Sequence, residues 1–264
     1  MTLTTESPPL VLTLLAHEVR WTLLRALVHS DYRVHELGAI VGRPLNLVSY
    51  HLKQLRDHRL VTERRSSADA RDLYYHLDLP YLQTLYRDSG LALHPALIPA
   101  APGQPTAGDL APAAEQAAPA GPPPRILFLC THNSARSQMA EAITRHLGQG
   151  QVQVCSAGSA PSAIHPDALR ALAAIGVSAE GQAPKHLDQF AHETFDYIIT
   201  VCDQVRESCP VFPNDPEHIH WSFADPAAIT DGTARQRAFQ QIARELNTRI
   251  RLLLALMERK RAGR

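Results

Sequence analysis

The stretch 125-RILFLCTHNSARS-137 decides the fold of the C-terminal half of this 264-residue chain. Residues 126–129 form a continuous apolar run, which is typical of a central strand buried on both faces of a parallel sheet. The helical pattern of Ser137–Leu147 follows at once, so the stretch predicts a strand, a turn and a helix. Because ligands of such sheets bind at the carboxyl ends of the strands, the turn is the predicted functional site.

The turn has the composition of an oxyanion site. Cys130, Arg136 and Ser137 bracket backbone N–H groups at the start of a helix, where an anion is favoured. This field predicts a Cys130 thiolate with a pKa below the reference value of about 8.5, and Arg136 can fork onto two oxygens of a tetrahedral anion. Ser137 is predicted to donate to the thiolate, and Asn133 to hold the shape of the loop. The alternative, a buried cysteine that merely ends a strand, fits Cys155 better. The predicted anion-binding residues are Thr131, His132, Asn133, Ser134, Ala135 and Arg136.

The rest of this half alternates strands and helices. The predicted strands are 125–129, 151–155, 197–201 and 218–223, and the predicted helices are 137–147, 165–175 and 232–261. This order predicts an α/β three-layer sandwich with a four-stranded parallel sheet over residues 125–264.

Several motifs of this half resemble a known family. The segments 130-CTHNSARSQMAE-141, 156-SAG-158 and 225-DP-226 are similar to the low-molecular-weight phosphotyrosine phosphatase fold and, within it, to arsenate reductases coupled to thioredoxin. Cys202 and Cys209 favour the reductase, because reduction of arsenate needs two electrons from the protein and a phosphatase needs no such pair.

The resemblance implies a relay of three thiols. Cys130 attacks bound arsenate, Asp225 protonates the departing oxygen, and Cys202 then attacks Cys130 so that arsenite leaves. Cys209 moves the disulfide outward to Cys202–Cys209, where thioredoxin acts as the external reductant. No bound cofactor is expected.

Metal ions are not expected in this half. A zinc site is a weak alternative, because four ligands are needed and the available side chains are an unconvincing set: Asp203, His218 and His220. Some of the arsenate reductases that this half resembles bind potassium through an aspartate and through residues that match Asn133, Glu141 and Ser156. Lys185 stands at the position of that aspartate, which predicts that its ammonium replaces the ion.

Residues 95–124 predict a linker between two domains, 1–94 and 125–264. The segment holds 9 of the 20 prolines and 10 alanines, with no lysine or arginine, so it should be semi-stiff and extended. Over the whole chain 26 basic and 26 acidic residues cancel, which at first argues against a nucleic-acid partner. Residues 43–71, however, hold seven basic and three acidic side chains, a local excess of positive charge.

The N-terminal domain is predicted to be a mainly α-helical winged helix-turn-helix. Leu15, Val19, Leu23 and Leu27 mark one helix, residues 34–41 a second, and the stripe after Pro44 a third. Residues 60–65 and 72–79 predict the two strands of a wing. A solvated helical face that binds protein is the alternative to DNA binding. The predicted DNA-contacting residues are Asn46, Ser49, Tyr50, His51, Lys53, Arg64 and Arg65.

The order of residues in this domain resembles the ArsR-type family of bacterial winged-helix repressors. The similar segments are 49-SYHLKQL-55, 60-LV-61 and 73-LYYHL-77. The resemblance implies a homodimer on double-stranded operator DNA, with the first helix and the helix at 80–93 as the dimer surface. Arsenic-sensing members bind their ligand through cysteines of this domain, whereas residues 1–94 contain no cysteine.

The combined prediction is a cytoplasmic fusion of an arsenate reductase with an ArsR-type regulator of arsenic resistance. Four cysteines are too few for a disulfide scaffold, and no segment approaches the ~20 apolar residues that span a bilayer. Two alternatives remain: a low-molecular-weight protein tyrosine phosphatase with a DNA-binding domain, and a non-catalytic arsenic-sensing repressor. A phosphatase would hydrolyse aryl phosphates without a thiol donor, and a sensor would need neither a general acid nor relay thiols.

Overall fold

The computed structural model describes residues 7–94, 97 and 122–262 and divides the chain into two compact units. Of the described residues, the N-terminal unit comprises 7–64 with 73–94 and 97, and the C-terminal unit comprises 65–72 with 122–262. The predicted linker lies largely outside the described residues. None of the described helices is long and apolar enough to cross a bilayer.

The N-terminal unit combines helices with a small sheet of order β1-β3-β2, in which β1 runs antiparallel to β3. Apolar side chains of its helices and of the start of β2 form one buried core. The described elements are α1 (Leu10–Leu15), α2 (Glu18–His29), β1 (Tyr32–Arg33), α3 (Val34–Val41), α4 (Leu45–Asp57), β2 (Val61–Arg65), β3 (Leu73–Leu77) and α5 (Leu79–Leu93).

Two predictions for this unit need correction. The stripe from Leu15 to Leu27 does not lie on one helix, because the chain breaks after α1 and His17 caps α2 by accepting a hydrogen bond from the Val19 N–H at 3.2 Å. The predicted pair of wing strands belongs to a three-stranded sheet, since the two-residue strand β1 pairs with β3. So short a strand leaves no alternation to detect in the sequence.

The C-terminal unit is an α/β fold around a four-stranded parallel sheet, as predicted. The strand order is β5-β4-β6-β7; α6, α7 and α9 pack against one another, and α8 contacts β4 and β6. The elements are β4 (Arg125–Cys130), α6 (Arg136–Gly148), β5 (Gln153–Gly158), α7 (Pro166–Ala173), β6 (Tyr197–Thr200), α8 (Asp203–Glu207), β7 (Glu217–His220) and α9 (Gly232–Ala262), with 3₁₀ turns at Leu187–Phe190 and Pro226–Ala228.

Two of the predicted strands are displaced. β5 begins and ends later than predicted and continues to Gly158, opposite Cys130. β7 ends at His220, before Trp221 and Phe223, which are buried although they lie in irregular backbone. Residues 221–223 were predicted as strand because their large apolar side chains have the pattern of a buried strand. The parallel register brings the ends of all four strands to one edge of the sheet.

Candidate active site

Hydrogen bonds from the segment after β5 to backbone carbonyls fix the loop between β4 and α6. The carbonyls of Thr131, His132 and Ser134 accept backbone hydrogen bonds of 2.8–2.9 Å from residues 160, 162 and 165. Asn133 has a φ of 44°, a left-handed conformation that asparagine adopts more readily than most residues. With these carbonyls held outside, the N–H groups of the loop and of the start of α6 are available for an anion.

Cys130 lies at the base of this loop, with 2% of its surface exposed. Its Sγ is 2.9 Å from the Ser137 hydroxyl and accepts a hydrogen bond from the Asn133 N–H at 3.2 Å. The Asn133 side-chain amide donates to the same hydroxyl at 2.9 Å. The roles predicted for Ser137 and Asn133 therefore have the required geometry.

The pKa of the Cys130 thiol differs from the prediction. Burial raises this pKa, and the opposing effects of the Arg136 guanidinium and the Ser137 hydroxyl do not cancel it. The predicted lowering is therefore wrong for this structure. The sequence shows the arginine and the helix start, but it does not show how completely the thiol is removed from water.

Arg136 is oriented by residues far away in sequence. Its Nη1 donates to the Phe223 carbonyl at 3.0 Å, and its Nη2 lies 3.6 Å from Asp225 Oδ1. Its Nε is buried and has no hydrogen-bond partner among the described residues. A buried N–H without a partner is costly, so this group is suited to an oxyanion that would bind beside Cys130.

Gly158 lets β5 approach the loop closely. A Cβ at this position would lie 2.5 Å from the Thr131 carbonyl oxygen, 2.8 Å from the Asn133 nitrogen and 2.9 Å from the Cys130 carbonyl oxygen. All three are backbone atoms, so the added methyl group could be accommodated only by moving the loop.

We expect Gly158→Ala to destabilise the C-terminal unit by about 1–3 kcal/mol and to weaken anion binding, because the overpacked methyl displaces the loop. Chemical denaturation and protection of Cys130 from alkylation by phosphate measure the two effects. Gly232→Ala is the control, since its Cβ would meet only the Arg235 side chain, at 4.0 Å. Equal behaviour of the two variants would contradict the prediction.

Of the two remaining predicted relay thiols, Cys202 contacts the loop. It is buried at the start of α8, with Sγ 3.5 Å from the Thr131 hydroxyl oxygen. The Thr131 hydroxyl donates to Gln204 Oε1 at 3.1 Å. Cys209 lies beyond α8 and packs against the core, where burial raises its pKa to about 11. All four cysteines are free thiols. Sequence reasoning missed Gln204, whose only signal was its position after Cys202.

A cluster of polar side chains contacts the anion loop through Asn133. The Ser156 hydroxyl donates to Glu141 Oε2 at 2.6 Å, and the Lys185 ammonium lies 3.2 Å from the same oxygen. Asn133 joins the cluster by donating to Ser156 and by accepting from the Lys185 backbone N–H at 2.7 Å. The Lys185 ammonium thus lies where it was predicted. Gln138, which sequence reasoning did not select, donates to Asn133 at 3.0 Å.

Most of the predicted DNA-contacting residues lie on accessible surface. The exposed ones are Asn46, Ser49, Tyr50, Lys53 and Arg65, and Arg64 is half-buried. The prediction for His51 is wrong, because the side chain is 4% exposed and lies with Val48, Leu52 and Leu55 on the buried face of α4. Its ring centroid is 4.4 Å from that of His17, and burial, followed by the charges of His17 and Arg20, lowers its pKa.

Comparison with known proteins places the C-terminal half in a family. The model of the low molecular weight phosphotyrosine protein phosphatases matches residues 125–262. An arsenate reductase of Shouchella clausii is 35% identical over 130 residues, and one of Halalkalibacterium halodurans is 34% identical over 128; each match covers 48% of this chain and 91% of the relative. A crystal structure of an arsenate reductase from Archaeoglobus fulgidus is 32% identical, with a TM-score of 0.39, over 47% of this chain and 98% of that one. Through residues 125–262 the chain belongs to the low molecular weight phosphotyrosine protein phosphatase family.

Proposed function

We propose that the C-terminal unit reduces arsenate to arsenite through a relay of three thiols, Cys130, Cys202 and Cys209. The predicted enzyme class, arsenate reductase, is confirmed by the curated relatives that match this half. The observation that carries the proposal is the buried Nε of Arg136, which has no hydrogen-bond partner among the described residues, near the buried Cys130 thiol, with a second buried thiol at the start of α8.

The first step forms a bond between sulfur and arsenic. Loop N–H groups and Arg136 hold the arsenate oxygens, and the Cys130 thiolate attacks the arsenic atom. Ser137 and Arg136 stabilise that thiolate once the proton has left, against the cost of burial. Asp225, 37% exposed and close to Arg136, protonates the oxygen that departs as water.

The second and third steps move electrons and then the disulfide. Cys202 attacks the Cys130 sulfur; a sulfur–sulfur bond forms, the sulfur–arsenic bond breaks, and its electron pair reduces arsenic(V) to arsenic(III), which leaves as arsenite. Cys209 then attacks Cys202 and releases the Cys130 thiolate. The resulting Cys202–Cys209 disulfide takes two electrons from a dithiol reductant, which we propose to be thioredoxin.

The test is turnover of the full chain with thioredoxin, thioredoxin reductase and NADPH. We expect NADPH oxidation that depends on arsenate, with one arsenite formed per NADPH. Hydrolysis of an aryl phosphate without a thiol donor, and no arsenite, would instead support a phosphatase. Arsenic binding without turnover would support a sensor.

The position of Lys185 predicts that turnover does not depend on potassium. Its ammonium already lies at Glu141 Oε2, so a monovalent cation has no charge to neutralise there. Exchange of potassium for sodium should leave kcat/KM unchanged in the parent, whereas Lys185→Ala should become sensitive to potassium. A strong potassium requirement in the parent would contradict this prediction.

For the N-terminal unit we propose binding to operator DNA as a homodimer. Lys53 and Tyr50 are exposed on α4, where the ammonium and the hydroxyl can meet phosphates. The exposed Trp21, Tyr86 and Leu93 border an apolar groove of about 640 Å³ between α1, α2 and α5, which supports the proposed dimer surface. A regulatory role in a cytoplasmic arsenic response rests on the same proposal.

We expect Lys53→Ala to weaken operator binding and to lower the magnitude of the slope of log K against log salt by about 1.8, because the homodimer loses two phosphate contacts at about 0.9 each. Fluorescence anisotropy over a salt series measures both quantities. Lys260→Ala removes the same charge from the other unit and should change neither. An unchanged slope in Lys53→Ala would exclude this phosphate contact.

A further inference from the structure

A buried polar cluster surrounds Asp203, the residue that follows Cys202. Asp203 is fully buried, and its Oδ1 accepts from the Ser222 hydroxyl at 2.8 Å and lies 3.1 Å from His220 Nε2. His220 Nδ1 lies 2.8 Å from the Thr200 hydroxyl. Because a carboxylate only accepts, Nε2 donates to Asp203.

The cluster holds the chain on both sides of Cys202. Thr200 is the last residue of β6 and Asp203 is the first of α8. The two residues that hydrogen-bond to His220 therefore lie two positions before Cys202 and one position after it. His220 itself ends β7, the neighbouring strand. The backbone that carries Cys202 is therefore tied to the sheet edge by hydrogen bonds that are buried from water.

A buried carboxylate is a costly way to obtain stability alone, since desolvation offsets much of what its hydrogen bonds contribute. The relay makes two opposite demands on this segment. Cys202 must keep one position to attack Cys130, whereas Cys209 must come to within about 7 Å, Cα to Cα, of Cys202. The five-residue helix α8 separates the two thiols.

We propose that Asp203, His220 and Ser222 are positioning residues for Cys202. They hold the first turn of α8 in place, so that attack on Cys130 starts from a fixed geometry and the rearrangement that delivers Cys209 is confined to the other end of α8. The inference rests on the proposed relay and adds to it the residues that place the second thiol.

The test separates the second thiol from the first in single-turnover experiments on the full chain. In His220→Leu and Ser222→Ala, formation of the arsenate-dependent Cys130–Cys202 disulfide should slow by roughly 10- to 100-fold, the effect of about 1 Å of misplacement. Protection of Cys130 from iodoacetamide by inorganic phosphate should stay at the parent value. A merely structural role would diminish both readouts together.

Two further variants sharpen the result. His220→Gln keeps an N–H donor and should recover part of the rate, and His218→Gln, an exposed residue on the same strand, should match the parent. Ser222→Ala removes a single hydroxyl and tests the same contact should His220→Leu not fold. Parent-like disulfide formation in Ser222→Ala and His220→Leu overturns the inference, as does a loss of phosphate protection in parallel with the rate. A parent chain that forms no arsenate-dependent disulfide overturns the relay itself.

Discussion

Replacement of Arg136 by lysine is expected to lower kcat/KM for arsenate by about 100- to 1000-fold, the usual cost of losing an oxyanion donor. Nη1 of Arg136 is engaged by the Phe223 carbonyl, which fixes the plane of the guanidinium. Nε and Nη2 then remain for two oxygens of the anion. An ammonium group offers a point charge without this planar fork, so it cannot bond the carbonyl and two substrate oxygens in the same geometry.

The size of the loss is measured by arsenite formation with the thioredoxin system, and binding by phosphate protection of Cys130. Arg145→Lys is the control, because Arg145 lies on the same helix, is about half exposed and pairs with Glu141 Oε1, whereas Ser156 and Lys185 contact Oε2. We expect Arg145→Lys to stay near the parent. An Arg136→Lys variant with parent-like kcat/KM would show that the fork is not used in the transition state.

The anion loop could be predicted from the sequence because its geometry is local. Cys130 and Arg136 are joined by one turn between a strand and a helix, so their spacing nearly determines where thiol and guanidinium lie. The partners of the guanidinium could not be predicted, since Phe223 is 87 residues away and lies in irregular backbone after β7. The cluster of Asp203, His220 and Ser222 likewise depends on which strands become neighbours.

His51 shows a different source of error. His51 lies on the same face of α4 as Val48, Leu52 and Leu55. It is buried because of this position on the helix, although its side chain is polar. The contact that covers it comes from His17 at the break between α1 and α2, which the apolar stripe did not reveal. In the same way, the pKa of Cys130 depends on burial, a property of the assembled core rather than of the loop sequence.

Cys209→Ser is expected to release one arsenite per protein molecule and then stop. Cys130 and Cys202 supply the two electrons of the first turnover, so the variant should lose two thiols and accumulate a Cys130–Cys202 disulfide. Without Cys209 that disulfide stays at the buried site, because Cys130 and Cys202 are each only 2% exposed and a dithiol reductant cannot reach them. Steady-state turnover should therefore fall by orders of magnitude, while the first turnover keeps its rate.

The pH dependence of turnover follows from the pKa values of the relay thiols. Burial raises the pKa of Cys209 to about 11, so at neutral pH little of this thiol is ionised in the resting form. A thiol loses its proton as pH rises, and a turnover limited by attack of Cys209 should therefore accelerate from pH 7 toward pH 9 in the parent. The first turnover of Cys209→Ser needs the Cys130 thiolate, and because burial raises the pKa of Cys130 as well, that turnover should accelerate over the same range. Cys155→Ser is the matched control, since Cys155 is half-buried on the edge strand and has no part in the relay. If Cys209→Ser instead cycles at the parent rate while Cys155→Ser does not, the third thiol has been assigned to the wrong cysteine.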